Sequence, residues 1–169
     1  MCIQLRTPPI NMRVISVDPG YDRLGIAVME YHHDEHLIHS ECVLTNKEES
    51  LNQRLFSVGT HFKKLLETYQ PDTLAIETLF FNKNQKTALG VSAARGIIIF
   101  LAQTHNCQVY EFGPQEIKIA VTGYGKSDKA SVIAMVQRLV PATPKKALDD
   151  EYDAIAVGIT CLAHHGRTK

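Results

Sequence analysis

Apolar residues recur along this chain at two periods, and the switches between them lay out its elements. Arg13 to Asp18 (RVISVD) is apolar and rich in β-branched side chains, and it stops at Pro19-Gly20. Leu24 to Glu30 resumes the strand pattern. Leu37 to Leu44 repeats it after a polar turn carrying His32, His33, Asp34, Glu35 and His36. Three strands joined by short connections predict an antiparallel meander. Leu51, Leu55, Val58, Phe62, Leu65, Leu66 and Tyr69 then fall at spacings of three and four, which predicts an amphipathic helix ended by Pro71. Thr73 to Glu77 (TLAIE) reads as a short buried strand, about Gln85 to Thr104 as a helix, and Gln108 to Phe112 as a fifth strand. Pro114 opens a short helix to Val121. Gly123 and Gly125 mark a loop, and Ser127 is the expected N-cap of a helix through Val140. After Pro141 and Pro144, a last helix runs from about Asp149 to His164, with Ile155, Ile159 and Leu162 on one face. The order βββ-α-β-α-β-α-α-α predicts an α/β fold, a mixed sheet of three antiparallel strands followed by parallel ones, with helices on both faces.

Length and composition add bounds. The 169 residues suit one domain, expected over 12–169 behind a short tail, 1–11, that contains Pro8 and Pro9. Apolar residues make up 44% of the chain, enough for a core without staples. The longest apolar run, Ile97 to Ala102, is far below the ~20 residues of a membrane span. Cys2, Cys42, Cys107 and Cys161 form no CxxC pair, and the N-terminus has no apolar secretory region. A reduced, cytoplasmic protein is the expectation.

Charge changes the picture through its distribution. Lysine and arginine total 18, as do aspartate and glutamate, so the formal net charge is zero. Yet Asn82 to Gly96 carries Lys83, Lys86 and Arg95 with no acid. Lys118 to Lys146 carries six basic residues and one acid, Asp128. Asp149, Asp150, Glu151 and Asp153 then fall within five positions. An acidic spot beside basic stretches suits a metal site that handles a polyanion; solvated surface is the ordinary alternative.

The candidate chemistry is a set of carboxylates. Asp18 ends the first strand where Pro19-Gly20 turns the chain away, and Glu77 ends an otherwise apolar strand. Parallel neighbouring strands would bring these tips to one sheet edge, where α/β sites commonly form. On the last helix Asp150 and Asp153 share a face at i, i+3, and Asp149 and Asp153 nearly as well at i, i+4. Spacing does not choose between Asp149 and Asp150. Singly, an Asp before Pro-Gly is often a turn residue, and an Asp at a helix start often serves the helix end. Converging, these acids repel one another, and divalent cations relieve the repulsion. Oxygen-only ligands favour Mg²⁺ or Mn²⁺ over zinc, and two such ions can drive phosphodiester hydrolysis.

Val17-Asp18-Pro19-Gly20, Ala75-Ile76-Glu77 followed by Phe80, Ala94-Arg95-Gly96 and Asp150-Glu151-Tyr152-Asp153-Ala154 together resemble the RuvC family of Holliday junction resolvases. The likeness runs in order from about Met12 to His165. It implies the ribonuclease H-like fold, a homodimer, and an endonuclease dependent on Mg²⁺, with Mn²⁺ as the alternative and two ions per site. The implied reaction is paired symmetric nicking of four-way DNA junctions during recombination and repair. The family's metal-binding and catalytic acids fall on Asp18, Glu77, Asp150 and Asp153, so the resemblance selects Asp150 over Asp149. It also implies DNA contacts. An aromatic that stacks on a junction base falls on Phe80, with Phe81 beside it read as core. Basic contacts fall on Lys83, Arg95, Lys118 and Lys129. A branch-migration helicase complex is an implied partner, and a membrane is not.

The sequence also admits two other readings. Asp18-x-Gly20 followed by Gly25 also resembles the phosphate loop of actin-like nucleotide-binding modules, which clamp ATP between two such domains where this chain supplies one. A non-cleaving junction-binding dimer needs a broken acid set, and here the set is whole. The cluster His32, His33, His36 and His39 reads as a solvated hairpin rather than a metal site, and His164 and His165 as residues at a helix C-terminus.

Overall fold

The computed structural model describes residues 12–31, 35–79 and 85–166, the last stretch with side chains from Ala88 onward. Five strands form one sheet in the order β3-β2-β1-β4-β5. They are β1 (Met12–Asp18), β2 (Arg23–Tyr31), β3 (Glu35–Leu44), β4 (Thr73–Glu77) and β5 (Gln108–Phe112). β1 pairs antiparallel with β2, and β2 antiparallel with β3, which makes the expected meander. β1 pairs parallel with β4, and β4 parallel with β5. The central strand β1 carries the apolar residues Val14, Ile15 and Val17 on both faces because both are covered.

Alternation along the strands divides the core in two. Ile15, Val17, Leu24, Ile26, Val28, Leu74 and Ile76 face α1 (Leu51–Tyr69) and α2 (Gln85–Thr104). Val14, Ala27, Met29 and Ala75 face α3 (Pro114–Thr122), α4 (Lys129–Leu139) and α5 (Asp149–His165). The helix α5 is buried along almost its whole length because small residues let it lie close to the sheet. A Cβ at Gly158 would stand 2.6 Å from Met29 Sδ and 2.8 Å from Ser16 Oγ. A Cβ at Gly25 would run into the backbone carbonyl of Asp150. The fully buried Ser16 hydroxyl donates to the Ala154 carbonyl at 2.7 Å, which ties α5 to β1.

Two local expectations change. The N-cap of α4 is Asp128, which accepts from the Ser131 amide at 2.8 Å, and the helix ends at Leu139. Ser127 is committed to the preceding turn: it lies 2.7 Å from Thr122 Oγ1 and donates to the Tyr124 carbonyl at 2.8 Å. Lys129 consequently opens the helix. His36 and His39 belong to β3 rather than to the hairpin turn, because strand pairing continues as far as Tyr31↔Glu35.

Candidate active site

The sheet register assembles the acids. Val17 pairs with Ile76, so Asp18 and Glu77 follow as adjacent ends of parallel strands. Asp18 is two residues beyond Ser16, and Glu77 two beyond Ala75; both therefore project toward the α5 face. The helix α5 begins above that edge with Asp149, Asp150 and Glu151 in its first turn, where the helix dipole favours negative charge. Asp150 and Asp153 look back toward the strand ends. Asp18 feels the charges of Glu77, Asp153 and Asp150, and burial together with this repulsion pushes its carboxyl up to about 8. Burial and the Asp153 charge push Glu77 up to about 7, against the opposing pull of Lys129 and Lys118. Burial also raises Asp153, although Lys129 bonds to it.

Two side-chain cations already stand on the α5 acids. Lys129 bonds Asp153, and Arg23 lies 3.5 Å from Asp150. Burial alone would depress the Lys129 ammonium, but its bond to Asp153 and the charges of Asp153, Asp149 and Asp18 win, and it is raised. One hollow of about 180 Å³ opens beside Glu77, Asp153, Lys118 and Lys129. Another, of about 350 Å³, opens beside Asp18, Arg23 and Asp150. A larger hollow of about 980 Å³ lies at the opposite end of the sheet, near Asp72, Thr73 and Gln108, away from the acids. Among the described residues no three histidine, cysteine, aspartate or glutamate side chains are drawn tightly enough together to enclose an ion. The acids instead share an edge and a field. Half-buried carboxyls, with Asp18 and Glu77 held far above their ordinary range, form an oxygen-only donor set, which fits a hard divalent cation.

The DNA-contact expectations divide. Lys118 and Lys129 line the hollow beside Glu77. Arg95 is turned aside: it pairs with Glu111 on β5, is mostly buried, and fastens α2 to the sheet's outer strand. Phe80 and Lys83 lie outside the described residues, as do Phe81 and the tail 1–11. No helix among the described residues is long and apolar enough to cross a membrane.

Sequence reasoning missed three features. Arg23 stands on Asp150; its position five residues after Asp18, at the start of a strand, was the available signal. Ser40 on β3 donates to the buried Glu151 carboxylate at 2.6 Å, across 111 residues of chain, which no local pattern reveals. Glu41 accepts from His39 at 3.0 Å and from His61 at 2.8 Å on the other face, so His39 is a structural partner rather than a solvated turn residue.

The likeness to known proteins agrees with this geometry. The family model for crossover junction endodeoxyribonuclease RuvC matches residues 14–161. The crossover junction endodeoxyribonuclease RuvC of Thermosipho melanesiensis is 42% identical over 90% of this chain and 97% of its own. That of Petrotoga mobilis is 38% identical over 86% of this chain and 90% of its own. The structure of T. thermophilus RuvC in complex with a Holliday junction substrate superposes with a TM-score of 0.85 at 27% identity, over 92% of this chain and 95% of that one. The mixed sheet with its flanking helices is therefore the ribonuclease H-like resolvase fold, and the actin-like alternative falls away. The chain belongs to the RuvC family of crossover junction endodeoxyribonucleases.

Proposed function

We propose that this protein resolves four-way DNA junctions in recombination and repair by paired, symmetric, metal-dependent nicks. The observation that carries the reading is the group of four acids at one sheet edge, two of them with strongly raised carboxyls, in a chain of this family. Asp18, Glu77, Asp150 and Asp153 would hold Mg²⁺, or Mn²⁺ in its place, as two ions per site. Bound there, the ions would activate a water and stabilise the departing oxygen of a phosphodiester.

The remaining work falls to the protein's own residues. The strand ends hold Asp18 and Glu77 side by side, and the close packing at Gly25 and Gly158 sets the height of α5 over them. Lys129 and Lys118, beside Glu77 and Asp153, are placed to meet the backbone charge of the DNA. Arg95 supports α2 through Glu111, so its influence on DNA is indirect. Phe80 would stack on a base unpaired at the crossover, and Lys83 would meet a phosphate.

Paired nicks in a two-fold symmetric junction require two such sites, hence a homodimer. The outer face of α1 and α2 supports this. Phe56 and Phe100 are more than 60% exposed there, around a hollow of about 600 Å³ that includes Gly59 and Gly96, and Leu89 on α2 is equally exposed. Residues 12–169 would act as one domain in the cytoplasm, with a branch-migration helicase complex as a further partner. Incubation with a synthetic four-way junction and Mg²⁺, read on a denaturing gel, tests the reading. Paired cuts are expected, and junctions left intact over a range of sequences, with both Mg²⁺ and Mn²⁺, would refute it.

A further inference from the structure

Arg23 opens β2 at the end of the turn that leaves Asp18. The turn is tight, since a Cβ at Gly20 would run into the Arg23 carbonyl, so Arg23 is held at the rim of the acid edge. Its side chain is 53% exposed, and its ion pair with Asp150 Oδ2 spans 3.5 Å. That distance is an attraction of charges, longer than a good hydrogen bond, and it leaves the guanidinium's donors free to serve another acceptor. The hollow beside it, about 350 Å³, is lined by Asp18, Asp22 and Asp150 together with Tyr21 and Val91.

We propose that Arg23 is a metal-released phosphate anchor: it shields Asp150 while no divalent ion is bound, yields Asp150 to the ion, and then grips a backbone phosphate of the junction. The proposal rests on the metal-dependent nuclease reading above. A divalent ion at Asp150 repels the guanidinium and claims the same carboxylate. A half-exposed pair at 3.5 Å gives way at little cost. The freed fork of donors matches phosphate oxygens better than an ammonium does. Lys129 also pairs with Asp153 at the other end of the site, but through a direct hydrogen bond, so the looser Arg23 pair would be the first to exchange its side-chain cation for an ion. Metal binding and DNA binding would thereby be coupled through charge alone.

A plain strut holding the start of α5 makes the opposite prediction, because its loss would weaken metal and DNA binding together. The test uses the full chain, with Arg23→Gln and Arg23→Lys. Mn²⁺ is titrated calorimetrically without DNA, and junction affinity is measured by anisotropy in Ca²⁺ and in EDTA across a salt series. Arg23→Gln is expected to bind Mn²⁺ about three- to tenfold tighter, because the competing cation is gone. In Ca²⁺ it should bind junction about three- to tenfold more weakly, with the salt slope reduced by about one, and in EDTA its affinity should match wild type. Arg23→Lys should recover the slope but only part of the affinity. Weaker binding of both Mn²⁺ and junction by Arg23→Gln would establish the strut and overturn the proposal, as would unchanged junction affinity in Ca²⁺. Wild-type cutting of the junction with Mg²⁺ is scored alongside. If wild type cuts while Arg23→Gln behaves like it, only the anchor fails. If wild type neither cuts nor binds Mn²⁺, the nuclease reading fails and the anchor with it.

Discussion

Glu41 and Asp18 are carboxylates on strands of the same sheet, on opposite faces, and their environments treat them in opposite ways. Glu41 receives the Nε2 atoms of His39 and His61 on one oxygen, and these bonds overcome burial and lower its carboxyl below the usual value. Asp18 is half-buried with Glu77, Asp153 and Asp150 around it and Lys129 in opposition, and desolvation and repulsion push it up to about 8. Where the fold needs a carboxylate for its own integrity, it supplies partners from the same strand and from a neighbouring helix. Where it leaves carboxylates in mutual repulsion, stability is given up at a site that a divalent cation can repair.

Removing a carboxylate from each place is the strongest way to break this contrast. Asp18→Asn, Glu77→Gln, Asp150→Asn and Asp153→Asn are each expected to lower junction cutting by about a thousandfold or more, since a metal ligand acts on the transition state. Junction binding in EDTA should persist, because the basic surface remains. Glu41→Gln should cut within about twofold of wild type. Asp149→Asn should also stay active. A denaturing-gel time course separates these outcomes, and a dead Asp149 variant beside an active Asp150 variant would overturn the ligand assignment.

The second contrast is thermodynamic. A carboxyl whose folded pKa lies above its unfolded value binds its proton more tightly when folded. Between the two values the native state therefore holds more protons, and stability falls as pH rises. For Asp18 that window runs from about 4 to about 8, and for Glu77 from about 4.5 to about 7. Metal-free protein should consequently gain stability on acidification from pH 8 to pH 5, with a rise in Tm of about 5 °C or more. Asp18→Asn should melt higher than wild type at pH 8 in EDTA and show a flatter profile. Saturating Mg²⁺ should flatten the wild-type profile too, because the ion takes over from the proton. Scanning calorimetry in EDTA decides, and a wild-type Tm that climbs steadily from pH 5 to pH 8 would contradict charge repulsion among these acids.

The two carboxylate environments were not equally legible in the sequence. Strand periodicity located the ends of β1 and β4, and so the pairing of Asp18 with Glu77 followed from topology alone. Helical spacing placed Asp153 but could not choose between Asp149 and Asp150, because both lie within reach of its face. The N-cap of α4 was misplaced by one residue because Ser127 and Asp128 are both good caps, and the turn claimed the serine hydroxyl. The Glu41 group stayed hidden because it joins β3 to α1 over 20 residues, and a histidine cluster in a polar stretch reads as solvated. Contacts made by register are readable from pattern; those made by side chains reaching between elements are not.

Between the two environments stands Glu151, an acid in the same helical turn as Asp150 that is buried yet partnered by Ser40. Losing that donor leaves a buried carboxylate short of one bond, which typically costs ~1–3 kcal/mol. Ser40→Ala should thus lower stability by about that amount. It should also reduce kcat more than junction affinity, because the start of α5 carries Asp150. Ser40→Thr, which keeps the hydroxyl, should recover most of both. A variant that loses stability without any effect on kcat would limit Ser40 to a packing role.

The smallest expected effect belongs to Glu41 itself and completes the contrast by its sign. Hydrogen bonds to a charged group contribute ~1.5–3 kcal/mol when protected, but this carboxylate and its two imidazoles are each about a third exposed, so solvent screens them. Glu41→Gln should therefore cost about 1 kcal/mol by urea denaturation at pH 7. A depressed carboxyl contributes its stability above its unfolded value of 4.5 and loses it as pH falls through the folded value. The difference between wild type and Glu41→Gln should accordingly shrink below about pH 4.5. Asp18→Asn should move the other way over its own window, stabilising the metal-free protein most at pH 8 and least near pH 4. Equal pH profiles for the two variants would mean that their carboxylates sit in equivalent fields, and the partnered and unpartnered acids would then not differ as the geometry requires.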